Sequence, residues 1–324
     1  MRTLPTFFLL AVLVSMMGCD IEPASSGGDA GTEIDWSETD GGGDRAPDSG
    51  ADDELPTGEP DAGTEADARI AAPDVDWETP EDRARFVRFR VGTVNAPESA
   101  KPGLIMPREL RARRMVNWFA DNEITVSALQ EAGTYIRAEA AERPAWGSTW
   151  AVPNNVIAGR RVGNGIIFRS GAIAVLDEAN IRVPMAGRPD GLNAAVRLLE
   201  HREDTDRRAR FVMIAFHAPT RRDDPDDSTR AAMRREIRMF ANRCIAAGLP
   251  VIVAGDANDG GYGAHFPDMR AAAHHVVDWI LVSRGIRIHG EGSRNIPDLS
   301  DHDAVFASIS VPIDADAPRR LPAR

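Results

Sequence analysis

Two wholly apolar runs, residues 211–216 and 251–254, stand on either side of a stretch with helical spacing, and this triplet constrains the fold more than any other feature. A continuous apolar run of that length predicts a strand buried on both faces. Between the two runs Met233, Ile237, Ala241 and Cys244 recur at helical spacing, with Ser228 as the expected N-cap and Gly248 as the expected stop. Each apolar run also ends on polar residues: the first delivers His217, the second Gly255-Asp256-Ala257-Asn258.

Other stretches follow the same plan. Residues 86–95 alternate and end at Asn95, with Pro97 closing the strand. Residues 107–121 place Ala112, Met115, Val116 and Phe119 on one helical face, and residues 124–129 form a β-type run that delivers Gln130-Glu131. Gly163-Asn164-Gly165 leads into a strand at 166–168, and a further strand is expected over 193–199. Residues 276–282 carry Asp278 inside an apolar run, and Ser300-Asp301-His302-Asp303 stand just before an alternating strand at 304–310. Residues 259–275, with Gly260, Gly261 and Gly263, read as a loop that either shapes substrate choice or is plain surface. Strands alternating with helices indicate an α/β or α+β domain. Such sheets bind ligands where polar side chains gather at strand ends.

Each polar residue has an ordinary explanation when taken singly: Asn95 as a turn former, Glu131 as a helix cap, His217 as a hydrogen-bonded core histidine. Their joint placement after apolar strands is harder to explain that way. An imidazole beside a carboxylate handles protons. Hard amide and carboxylate oxygens without a cysteine cluster favour magnesium or manganese over zinc. Cys244 lies on the apolar helical face and is expected to be a buried structural thiol.

Charge divides the chain near residue 84. Residues 1–83 carry 21 acidic and 4 basic side chains, a balance of −17, whereas residues 84–324 carry 29 acidic and 34 basic, a balance of +5. The acidity of the whole therefore does not argue against an anionic substrate. Lys101 is the sole lysine of the second part, and arginine's planar fork suits phosphate.

Arg2, an apolar run over residues 7–14 and Gly18-Cys19 suit a signal peptide of residues 1–19; the run is too short to span a bilayer. The pattern resembles a bacterial lipoprotein signal, in which Cys19 is lipidated. Met16 and Met17 depart from that pattern, and ordinary cleavage with secretion is the alternative. Residues 20–83 read as a disordered acidic Gly/Asp-rich spacer, residues 84–312 as the folded domain and residues 313–324 as a C-terminal tail.

The ordered series Thr93-Val94-Asn95, Leu129-Gln130-Glu131, His217, Gly255-Asp256-Ala257-Asn258, Asp278-Trp279-Ile280 and Ser300-Asp301-His302 resembles the endonuclease/exonuclease/phosphatase superfamily over residues 84–312. The fold this implies is a four-layer sandwich, two packed mixed β-sheets flanked by helices. The reaction implied is metal-assisted hydrolysis of a phosphoester. Carried over by position, Glu131, Asn95 and Asp301 are the expected ligands of Mg²⁺ or Mn²⁺. Asp256 and Asn258 would align water and phosphate, His217 would donate to a phosphoryl oxygen, and His302 would be the acid–base imidazole oriented by Asp278. Asn164 and Arg188 are looser candidates for substrate contact.

These expectations converge on an exported, lipid-anchored, monomeric phosphodiesterase, foremost a nuclease acting on DNA or RNA. A phospholipid or inositol-phosphate phosphodiesterase or phosphatase is the alternative within the same chemistry. A non-catalytic binding module is the alternative outside it, and it would predict loss of one or more key side chains, none of which is missing.

Overall fold

The computed structural model describes residues 79–323 apart from 98–103, 152–154, 158–159, 186–187 and 203–206. The expected signal with Cys19 and nearly all of the acidic spacer lie outside the described residues. Among the described residues, no helix is long and apolar enough to cross a membrane.

The described chain opens with α1 (Pro80–Arg85), whose cap is Thr79; its hydroxyl accepts from the Asp82 amide at 3.1 Å, with Pro80 at the first helical position. This short helix is tied to the body by Arg287, which donates to Asp82 across 2.7 Å. Residues 80–83, which charge alone assigns to the spacer, therefore belong to a helix joined to the domain.

Two sheets follow. One runs β12 (Arg287–Arg294), β13 (Ala304–Pro312), β1 (Phe86–Asn95), β2 (Ile124–Ala132), β5 (Arg160–Arg169), β3 (Trp146–Trp150), with short β4 (Asn155–Ile157) also paired to β5. The other runs β10 (Met269–His275), β11 (Asp278–Ser283), β9 (Val251–Asp256), β8 (Arg208–His217), β7 (Arg188–Arg202), β6 (Ile173–Met185). Each sheet is mixed: β1 and β2 pair in parallel, as do β8 and β9, and the remaining pairs are antiparallel. The parallel pairs are the ones with a helical crossover between them, α2 (Arg108–Asp121) for β1–β2 and α4 (Ser228–Ala246) for β8–β9.

The apolar layers explain the sequence pattern. Along β8, Phe211, Met213 and Ala215 enter the core between the sheets, where they meet Phe89, Val91, Ile166, Ile280 and Ile309. Their neighbours Val212, Ile214 and Phe216 turn outward onto Met233, Ile237, Phe240 and Cys244 of α4. Both faces are covered, so the strand alternates only in destination and not in polarity. On the other sheet α2 and α3 (Thr134–Ala141) bury Met115, Val116, Phe119 and Ile136 over Val94, Leu129 and Ile167. The order helix, sheet, sheet, helix is the expected four-layer sandwich.

Three expectations are corrected here. Residues 259–275 are not one loop: a 3₁₀ turn (Tyr262–His265) is followed by strand β10. Strand β11 begins at Asp278, and Val276, with φ of 50°, makes the turn before it. Ser228 is the first residue of α4 instead of its cap, which is Asp227 at φ 60°. The capping carboxylate is that of Asp224, which accepts from the Thr229 amide at 3.1 Å and the Arg230 amide at 2.8 Å. Gly248 does end the helix segment, at φ 82°, where a side chain would be strained. The C-terminal tail packs on the fold: Ala317 is buried, and the Leu321 amide donates to Asp177 at 2.9 Å.

Candidate active site

The C-terminal ends of the parallel strands β1, β2, β8 and β9 carry Asn95, Glu131, His217 and Asp256. Asp278 opens β11 directly opposite Asp256, and His302 stands just before β13. Topology thus gathers all these residues at one edge of the sandwich.

Asn95 joins the two sheets. Its Nδ2 donates to Glu131 Oε1 at 3.2 Å and to Asp256 Oδ2 at 3.3 Å, while Ser300 Oγ donates to its backbone carbonyl at 2.6 Å. Ser300 Oγ in turn accepts from the His302 amide at 3.0 Å, so one buried hydroxyl sets the positions of Asn95 and His302 together. Glu131 sits at φ 51°, a left-handed conformation that costs energy for a residue with a side chain and tends to persist where function requires it.

Asp256 is the hub. Its Oδ2 lies 3.4 Å from His217 Nε2 and 3.8 Å from His302 Nδ1, and its Oδ1 accepts from the Asn258 amide at 2.9 Å. Asn258 adopts φ 47°, and its Nδ2 donates to the Ala218 carbonyl at 2.8 Å. Gly255 permits this approach of strands: a Cβ there would stand 2.0 Å from the Phe216 carbonyl oxygen.

His302 Nδ1 and Asp278 Oδ2 are 2.8 Å apart. The hydrogen bond to Asp278 is the main reason the imidazole is pushed up to about 9, with the charges of Asp278, Asp256 and Asp301 adding to it against the effect of burial. Asp278 is raised as well, chiefly by burial and also by the charge of Asp256, against the bond to His302. The two groups are close enough to titrate as one coupled pair.

The residues fit a divalent cation. Asn95 Oδ1 is buried with no hydrogen-bond partner, an acceptor oxygen beside the Glu131 carboxylate. Asp278 Oδ1 is likewise unpartnered, and Asp256, Asp278 and His302 offer ligand atoms all within 4.8 Å of one another. The donors are hard oxygens with one imidazole, and the free cysteine, Cys244, is buried in the α4 layer with its thiol pushed up to about 12 by burial.

Of the expected ligands, Glu131 and Asn95 come together. Asp301 is exposed at the rim, and its influence on His302 is through charge. Asn164 lies buried at the same end, opposite the irregularity between Leu129 and Ala132, and spends its amide on the Asn193 carbonyl at 2.5 Å. Arg188 opens β7 opposite Met185, and its side chain lies outside the described residues. One pair escaped the sequence reading: His275 Nδ1 lies 3.4 Å from Asp303 Oδ2, at the end of β10. The signal was the His274-His275 run, hidden by reading that segment as loop.

Two packed mixed sheets with amide, carboxylate and imidazole groups converging at one edge define a class, the metal-dependent phosphoester hydrolases. The chain belongs to the endonuclease/exonuclease/phosphatase family, whose model matches residues 104–302. No curated protein matches the sequence. Similar solved structures include the human nocturnin catalytic domain with bound sulfate, at 18% identity and TM-score 0.54, covering 71% of this chain and 98% of that one. A mannosyl-6-phosphatase of Bacteroides thetaiotaomicron is similar at 12% identity and TM-score 0.52, covering 68% of this chain and 99% of that one. Danio rerio TDP2 complexed with a single-strand DNA product is similar at 12% identity and TM-score 0.50, covering 68% and 98%. At these identities the likeness is one of fold.

Proposed function

We propose that the chain is an exported, lipid-anchored, monomeric Mg²⁺- or Mn²⁺-dependent phosphodiesterase that acts as a nuclease on DNA or RNA. The observation that carries the catalytic part is the unpartnered Asn95 Oδ1 beside Glu131, across Asp256 from the His302–Asp278 pair. Glu131 and Asn95, with Asp301 from the rim, would hold the cation, which when bound would neutralise charge at the phosphoryl oxygens.

The chain's own groups do the rest. Asp256 and Asn258 align the attacking water and the phosphate. His217, against Asp256, donates to a phosphoryl oxygen. His302 carries the proton that moves during turnover, and Asp278 fixes its ring through Nδ1, leaving Nε2 for the reacting groups. Asn164 and Arg188 remain candidates for substrate contact.

A nucleic-acid substrate is favoured by the arginine-rich balance of +5 over residues 84–324 and by a fold shared with a protein seen with single-strand DNA product. Export and lipidation rest on residues 1–19.

The test is a panel: purified protein with Mg²⁺, with Mn²⁺ and with EDTA, against DNA, RNA, sphingomyelin vesicles, inositol polyphosphates and sugar phosphates. Metal-dependent cleavage of DNA or RNA is expected, and hydrolysis of a lipid or sugar phosphate with nucleic acids untouched overturns the nuclease reading. Labelling cells with radioactive palmitate should mark the protein and not its Cys19→Ala variant; equal labelling, or none, overturns the anchor.

A further inference from the structure

Asn258 stands in a left-handed conformation at the exit of β9, and residues of α4 hold it there. Asp227, the α4 cap, accepts from Arg230 Nε at 2.7 Å through one oxygen and from Arg234 Nη2 at 2.6 Å through the other. The two arginines then reach the same loop: Arg230 Nη1 donates to the Asn258 carbonyl at 3.3 Å, and Arg234 Nη1 donates to Asp259 Oδ2 at 3.3 Å. Asp259 closes the loop locally, its Oδ1 accepting from the Gly261 amide at 2.9 Å and its carbonyl from Trp279 Nε1 at 3.0 Å. Arg230 is buried, 6% exposed, while its partner Asp227 is partly exposed, so the guanidinium is held in one place by packing as well as by charge.

This arrangement is more than the stability of a helix end requires. The α4 terminus is already capped by Asp224, which takes the Thr229 and Arg230 amides. The guanidinium groups extend away from the helix axis to the two residues that follow Asp256-Ala257. Without them, Asn258 would keep the 2.9 Å bond from its amide to Asp256 and the 2.8 Å bond from its side chain to Ala218, but its carbonyl would be free to leave the left-handed region.

We infer that Arg230, braced by Asp227 and paralleled by Arg234, is a positioning residue for the hydrolytic reaction: it acts through Asn258, fixing the β9 exit loop so that Asn258 presents its side chain to the phosphate. The inference rests on the role given to Asn258 above. It adds a contact outside the cleft that sets turnover without touching substrate.

The experiment is a double-mutant cycle on the full chain with Mg²⁺, using bis(p-nitrophenyl) phosphate, at a temperature where all variants are folded by circular dichroism. Arg230→Met is expected to lower kcat about 10- to 100-fold with KM within about threefold, the cost of small misplacement of an aligning group. In the Asn258→Ala background the same change is expected to cost less than about threefold, because the positioned group is gone. Arg230→Lys, which keeps the charge toward Asp227 without the fork, is expected to fall between, and guanidinium added to Arg230→Met to recover part of kcat.

A full-sized loss in both backgrounds overturns the proposal, since the arginine then acts by another route. So does an unchanged kcat in Arg230→Met. If that variant does not fold, Arg230→Lys carries the same cycle. If Asn258→Ala itself leaves kcat unchanged, the role of Asn258 fails first, and that result is distinct from a failure of Arg230 alone.

Discussion

Asn95 and Asp256 meet at 3.3 Å across the two sheets, 161 residues apart in the chain. That single amide, also bonded to Glu131, couples the end of β1 in one sheet to the hub of the other. Asn95→Ala is expected to lower kcat/KM by about 100-fold and to raise the Mg²⁺ concentration giving half-maximal rate, since it removes an oxygen beside Glu131 and the bond that spaces two carboxylates. A metal titration of rate reads both effects.

Asp278→Asn keeps the shape of the side chain and removes its charge. His302 then loses the partner that fixes its tautomer. A drop in kcat of about 10³-fold or more is expected, with circular dichroism unchanged, by analogy with other imidazole–carboxylate pairs.

Much of the site could be read before the fold was known because its residues stand next to runs of apolar content, His217 and Asp256 after them and His302 before one. His217 and Asp256 end strands that are buried on both faces, Asn95 ends an alternating strand whose last five residues are buried, and burial is what composition reports best. The edges were not legible. Strand β12, Arg-Ile-His-Gly-Glu-Gly-Ser-Arg, has two glycines and little that is apolar; it is a strand because β13 supplies its hydrogen bonds. Strand β6 is likewise an edge, and its register with β7 shifts twice, which breaks the alternation a reader would seek. Buried charge was invisible for the same reason. Glu200 is buried among Arg202, Arg208 and Arg210, and Arg197 is buried in β7, yet in sequence these residues look like the wet face of a strand.

Arg197 offers a stability test. Its guanidinium donates to Thr149 Oγ1 at 2.6 Å, to the Ala179 carbonyl at 2.7 Å and to the Trp150 carbonyl, bridging the two sheets away from the catalytic residues. Arg197→Met removes these charge-assisted bonds from a guanidinium that is 1% exposed, and a loss of about 3–5 kcal/mol in urea unfolding is expected. Glu178, 54% exposed and 3.7 Å away, contributes little; Glu178→Gln is expected to stay within about 1 kcal/mol.

His201 sets a pH dependence of stability. Burial against Phe89, with help from the charge of Arg207, lowers it to about 4 from an ordinary value near 6.5. Between those values the unfolded chain binds a proton that the folded chain does not, so stability is full above pH 6.5 and is lost as pH falls toward 4. The loss from this group is up to about 3 kcal/mol, and His201→Phe is expected to remove that part of the slope in urea midpoints measured from pH 7 to pH 4.

The central claim is that these groups form one metal-dependent centre for phosphoester hydrolysis. It is tested most directly by following bis(p-nitrophenyl) phosphate turnover by the purified protein in Mg²⁺, after EDTA and after Mg²⁺ is restored, beside the Asp256→Ala variant. Expected are loss in EDTA, recovery on restoring the metal, and no turnover by the variant at any metal concentration. Turnover that survives EDTA, or that Asp256→Ala retains, would contradict it.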